Sequence, residues 1–242
     1  MVEPLFHKDN LEVSAGSTVP LDGPEGKHAV QVRRMRVGEA IQLSDGKGTR
    51  VRGNVSEIAT GSLTLTVEEV IKESLPQRQI TLVQALAKGD RDEMAIQAGT
   101  ELGAMGIIPW QASRSISRWD GPKKDKGQAR WQQIVSEAAK QSLRAYTPEV
   151  SPILDTKELG ALARNFDLVL VLDTSATTEL SQTQLPAAGT IALVVGPEGG
   201  IEQSELDLLE TAGAKLVSLG ANVLRTSTAG PAVIAALLLG KL

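Results

Sequence analysis

The chain has 242 residues, 41% of them hydrophobic and 22% charged, enough apolar material to bury a core as one domain or two unequal ones. It has no cysteine and only two histidines, His7 and His28, which removes disulfides and thiolate chemistry and disfavours a His-rich metal site. No run of about 20 apolar residues is present, and the start lacks a basic-then-apolar leader, so a cytoplasmic protein with neither metal nor membrane attachment is expected.

The net charge of −4 argues weakly against a nucleic-acid partner, but its distribution is uneven. Residues 151–242 hold 5 Lys/Arg against 10 Asp/Glu, whereas residues 73–150 hold 11 against 9. Basic clusters stand at Lys27, Arg33, Arg34 and Arg36, and from Arg114 and Arg118 through Lys123, Lys124, Lys126 and Arg130. Local basic patches, rather than net charge, hold phosphate backbones. The plain alternative is a solvated surface.

Residues 1–72 read as a small β-rich, barrel-like domain. His28 to Arg36 is a short helix or turn with basic side chains, and residues 40–43 form a strand. Residues 49–58 and 62–71 alternate apolar and polar, as half-buried strands do. Residues 73–79, with Pro76, suit a linker. From residue 80 to 242 strands alternate with helices, the pattern of an α/β domain with a mostly parallel sheet. Ile80–Leu86 is an apolar strand. Asp90 is placed to cap a helix with Met94, Ala98, Leu102 and Met105 on its apolar side. Ile107-Ile108 begins another strand, and residues 128–144 make a helix with Trp131, Val135 and Ala138 on one side. The runs at 167–172 and 190–195 suit buried parallel strands. A helix over 205–209 ends at Gly213, a strand covers 214–219, and the last helix covers 228–239.

Gly196-Pro197-Glu198-Gly199-Gly200 follows a strand-like run, at the end of a parallel strand where open α/β sheets bind ligands. It lacks the Gly-x-Gly-x-x-Gly fingerprint and the Lys-Ser/Thr of a P-loop. Leu219-Gly220 and Val223-Leu224-Arg225-Thr226 form a further glycine-bearing strand end before a helix. An Arg there is unfavourable for the helix dipole, which points to work on an anion or a base. Glu137, Gln141 and Arg144 share one helix side; a surface salt-bridge strip is the plain reading. His28 has no neighbouring acid to make a catalytic pair, which favours a structural or RNA-facing role.

Together these segments resemble the SPOUT superfamily of RNA methyltransferases, most closely the bacterial small-subunit (16S) ribosomal RNA uridine methyltransferases that make 3-methyluridine. The resemblance runs through His28, Val32-Arg33-Arg34, Gly38 and Asp45-Gly46, then Lys88-Gly89, Glu101-Leu102-Gly103 and Pro109. It continues through Glu137-Ala138, Gln141, Arg144 and Pro148 to Gly196–Gly200, Leu219-Gly220, Val223–Thr226 and Thr228-Ala229. Two positions depart from the pattern: Ser227 stands where an acid is frequent, and Asn222 where a basic residue is common.

The resemblance implies an N-terminal PUA-like β-barrel for RNA and a C-terminal α/β SPOUT domain tied in a trefoil knot. It implies S-adenosylmethionine bound by Leu172, Gly196, Pro197, Glu198, Gly199, Gly200, Leu219, Gly220, Val223, Leu224 and Thr226. It implies a homodimer, with the last helix, Leu237 included, and the helix after Lys88 near the partner. RNA contacts are expected at Lys27, His28, Arg33, Arg34, Arg36, Arg114, Lys123, Lys124 and Arg144. Arg225 is the candidate catalytic residue, stabilising a uridine anion or positioning its phosphate. The expected reaction is methylation of uridine N3 in the RNA of the 30S particle. The alternatives are a ribose 2′-hydroxyl methyltransferase of the same superfamily and a non-catalytic RNA-binding assembly protein.

Overall fold

The computed structural model describes residues 3–239. The chain divides into two compact units: Met1–Leu75 with Ala139–Thr147, and Pro76–Ala138 with Pro148–Leu242.

The first unit comprises β1 (Leu5–His7), β2 (Thr18–Leu21), α1 (Gly23–Lys27), β3 (Ala40–Ser44), β4 (Thr49–Ala59) and β5 (Ser62–Lys72). Its sheet order is β1-β3-β4-β5-β2, and no ladder joins β1 to β2 among the described residues, so hydrogen bonding leaves those two edges open. The alternating pattern of β5 buries Leu63, Leu65 and Val67, which meet Phe6, Leu21, Ile41 and Val51 in one core. Residues 139–147 return to this unit: the Tyr146 hydroxyl donates to the Glu73 carbonyl at 2.8 Å, and Lys140 pairs with Glu25 at 2.7 Å.

The second unit holds β6 (Arg78–Ala85), α2 (Arg91–Glu101), β7 (Gly106–Trp110), α3 (Lys123–Gln141, its last turn falling in the first unit), β8 (Glu149–Val150) and α4 (Thr156–Ala163). It continues with β9 (Leu168–Leu172), β10 (Gly189–Val195), α5 (Gln203–Thr211), β11 (Lys215–Val217) and α6 (Thr226–Leu239). The sheet order is β11-β9-β10-β6-β7-β8, and every ladder is parallel. Both faces are covered, which explains the continuous apolar runs. Ile80 and Leu82 of β6 pack with Ile96 of α2 and with Ile234 and Leu237 of α6. Val83 and Ala85 point the other way, to Leu159 of α4 and Leu206 and Leu209 of α5.

Three local expectations change. In α2 the buried side is Ala95, Ile96 and Gly99, while Met94 is 53% exposed; the strongly apolar Ile96, not the methionines, sets the helix face. Asp90 occupies the N-cap position without a side-chain bond, and the buried Asp92 instead accepts from the Ala87 N–H at 3.0 Å. Helix α3 stops at Gln141 and Leu143 turns left-handed at φ 56°, so Arg144 lies off the helix that was to carry it beside Glu137 and Gln141.

Candidate active site

Strands β11, β9 and β10 are neighbours, and their C-terminal ends emit three loops, at residues 172–174, 196–201 and 218–225. The loops enclose a cavity of about 670 Å³, of a size suited to a small cofactor. It brings together Leu172, Gly196, Pro197, Glu198, Gly199, Gly200, Leu219, Gly220, Val223, Leu224, Arg225 and Thr226. It also takes in Arg91, Asp173, Thr174, Ile201, Ser218, Asn222 and Ala229, which the sequence did not mark as site residues.

Gly200 and Gly220 adopt φ of 73° and 82°, conformations that side-chain-bearing residues resist, and this lets each loop turn back on the cavity. Among the described residues no backbone N–H from Leu219 to Arg225 has a protein partner. A run of unpaired donors beside the apolar Leu172, Leu219 and Leu224 suits a flat heteroaromatic base read along its edge. Glu198 and Asp173 add carboxylates for hydroxyl or ammonium groups. This donor set fits S-adenosylmethionine.

The Glu198 carboxylate accepts from the Arg91 guanidinium at 2.9 Å and from the Lys88 N–H at 3.1 Å. Partial burial pushes its carboxyl up, but its own N–H, Arg91 and Lys88 together outweigh that and hold it below the ordinary value. A depressed carboxyl contributes stability that is present above its unfolded value and lost as pH falls through the folded one. Glu198→Gln is therefore expected to cost about 1 kcal/mol at neutral pH. It should also remove part of the acid-side loss of stability, as read by melting across a pH series. A variant with an unchanged acid limb would show that the pair carries nothing.

Arg225 immediately precedes α6, and its carbonyl accepts from the N–H groups of Thr228 and Ala229, each at 2.9 Å. Its side chain is exposed and has no hydrogen-bond or ion-pair partner among the described residues. A guanidinium at a helix N-terminus opposes the dipole, so its own fold gains nothing from the charge.

The basic residues separate by setting. In the first unit, His28–Val32 forms a π-turn in which the Arg33 N–H reaches the His28 carbonyl at 2.9 Å. Ala29 and Met35 are buried, which turns Arg33, Arg34 and Arg36 outward with Val32 and Val37. Arg34 holds φ 55°, a conformation uncommon outside glycine. Lys27 is exposed beside this display, whereas the His28 ring packs edge-on against Phe6 with centroids 5.8 Å apart. Arg144 is half-buried, and burial pushes its guanidinium down to about 10. In the second unit Lys123 and Lys124 are exposed at the start of α3. Arg114 is tied to the glycine loop, donating to the Gly199 carbonyl at 3.2 Å and lying 3.7 Å from Glu202. It packs so closely that a Cβ on Gly199 would meet its side chain at 3.3 Å.

Residues 73–238 match the family described as RNA methyltransferase domain, and residues 21–68 that described as RNA methyltransferase PUA domain. Ribosomal RNA small subunit methyltransferase E of Mycobacterium tuberculosis is 43% identical, covering 98% of this chain and 91% of its own. The Bacillus subtilis protein of that name is 32% identical, over 90% and 88%. The crystal structure of the Neisseria gonorrhoeae enzyme of that name, bound to S-adenosyl methionine, has a TM-score of 0.87 at 32% identity and covers 98% of both chains. A Legionella pneumophila methyltransferase structure with bound cofactor SAM has a TM-score of 0.85 at 27% identity, again over 98% of both chains. Sequence and architecture agree along the whole length, and the chain belongs to the ribosomal RNA small subunit methyltransferase E family, RNA methyltransferases with a PUA domain ahead of the methyltransferase domain.

Proposed function

We propose that this chain methylates ring nitrogen 3 of a uridine in small-subunit ribosomal RNA, with S-adenosylmethionine as its cofactor. The observation that carries the reading is Arg225, an exposed guanidinium with no partner among the described residues, in the lining of the cavity of strand-end loops. When bound, the cofactor would supply an activated methyl group on a sulfonium, from which a neutral thioether departs readily.

The remaining work falls to this chain. The N–H groups of Leu219–Arg225 hold the adenine edge, and Leu172, Leu219 and Leu224 exclude water from it. Glu198, kept ionised by Arg91, receives hydroxyl or ammonium groups. A uracil imide must give up its N3 proton, here to solvent water, to become nucleophilic, and Arg225 stabilises the resulting anion until it takes the methyl group. RNA duplex edges are poorly readable, so the target base turns out of the stack to reach the cavity. Arg33, Arg34 and Arg36, with Lys27, hold the phosphate backbone, and Lys123 and Lys124 add charge on the second unit. In this reading the chain threads a trefoil knot at the cavity loops and acts in the cytoplasm, where its substrate is made.

The enzyme also works as a homodimer in this reading, but Leu237 is not the residue to probe it. That side chain is 2% exposed and packs in its own unit's core, so Leu237→Asp would test folding instead. Met94, exposed on α2, is the better probe. Met94→Asp should yield a folded monomer in sedimentation, with methylation falling alongside. A wild-type chain that sediments as a monomer at micromolar concentration would contradict the dimer.

Labelled methyl transfer to small subunits lacking the modification, run beside calorimetric titration with S-adenosylmethionine, tests the function. Binding together with transfer is expected. Binding of RNA with neither cofactor affinity nor transfer would leave a non-catalytic assembly protein.

A further inference from the structure

One buried polar side chain of the sheet reaches Thr226, a residue of the cavity lining. Gln84 of β6 is wholly buried between Val83 and Ala85. Its Nε2 donates to Thr226 Oγ1 at 2.8 Å and to the Ala85 carbonyl at 3.1 Å, and Thr226 Oγ1 donates to the Gly196 carbonyl at 2.8 Å. The direction is chemically fixed: a reversed amide would set its oxygen against the Ala85 carbonyl. In this orientation Gln84 Oε1 is buried with no partner among the described residues. An unpaired buried acceptor works against folding, so stability does not account for a glutamine here.

What the glutamine does is join three pieces of chain. Thr226 is the first residue of α6 and follows Arg225 directly, and Gly196 opens the glycine loop. We propose that Gln84 is a positioning residue for methyl transfer. Its amide orients the Thr226 hydroxyl, which ties the start of α6 to the Gly196 carbonyl and sets Arg225 against the glycine loop across the cavity. A displacement of about 1 Å at a reacting centre can cost 10²-fold in rate, so such a tether matters although it touches neither cofactor nor base.

The inference rests on the methyl transfer proposed for this site. The test is Gln84→Met, which keeps the shape, removes the donor and also removes the orphaned oxygen. Turnover is counted per cofactor-binding site, titrated by calorimetry, so misfolded protein does not enter the rate. The melting temperature should hold or rise while kcat falls between about 10-fold and 100-fold. Thr226→Val should lose as much, Thr226→Ser should lose less than Thr226→Val, and the double variant Gln84→Met with Thr226→Val should be no worse than the poorer single. A Gln84→Met enzyme with wild-type kcat, or losses that simply add in the double variant, would overturn the proposal. A wild-type protein that transfers no methyl group would sink the proposed function instead, and the two failures are distinct.

Discussion

Arg225→Ala is expected to slow methyl transfer by roughly 10²–10³-fold, about 2.7–4 kcal/mol of transition-state stabilisation, the loss typical of one preorganised donor. Cofactor affinity should hardly move, because the cavity offers a cofactor the backbone of residues 219–225 and the glycine loop. The guanidinium is exposed and has no partner among the described residues, so its removal leaves no buried charge behind and no collapse of α6 is expected. Arg225→Lys should recover only part of the rate, since a point charge lacks the planar fork that reaches two acceptors at once. Single-turnover rates with saturating cofactor read the effect directly. An Arg225→Ala enzyme with normal turnover would remove this residue from the chemistry.

Replacing Arg33, Arg34 and Arg36 together by glutamine should weaken RNA binding and flatten its dependence on salt. Every phosphate left without its arginine lowers the slope of log K against log salt by about 0.7–0.9, so up to about 2–3 in all. The display is built by backbone: the π-turn and the buried Ala29 and Met35 remain after the exchange. Folding of the first unit and cofactor binding by the second should therefore persist. Filter binding across a salt series measures the slope, and an unchanged slope excludes the patch.

The sequence was most legible where local pattern and tertiary role coincide. The apolar runs of β9 and β10 are buried on both faces, and their lack of alternation follows from that. The glycine-bearing strand ends were legible because a backbone that must turn sharply leaves its residue type behind. The helix face of α2 was not, because Met94 and Ile96 are both apolar and only packing decides between them. Nor was the return of residues 139–147 to the first unit, which is made by pairs such as Tyr146 with Glu73 and carries no composition signal. Around the cavity, the missed features are long-range side-chain pairs. Arg91 meets Glu198 across 107 positions, and Gln84 meets Thr226 across 142. Arg114 shows the same limit: its hydrogen bond to the Gly199 carbonyl spans 85 positions and carries no sequence signal.

Where the methyl group lands decides the function most directly. Small subunits from a strain lacking this enzyme, incubated with the purified protein and labelled S-adenosylmethionine, can be digested to nucleosides and resolved by mass spectrometry. A single new product is expected, a uridine carrying the label on its base and matching 3-methyluridine. Label on the ribose 2′-hydroxyl, or on any base other than uracil, would contradict the proposed reaction.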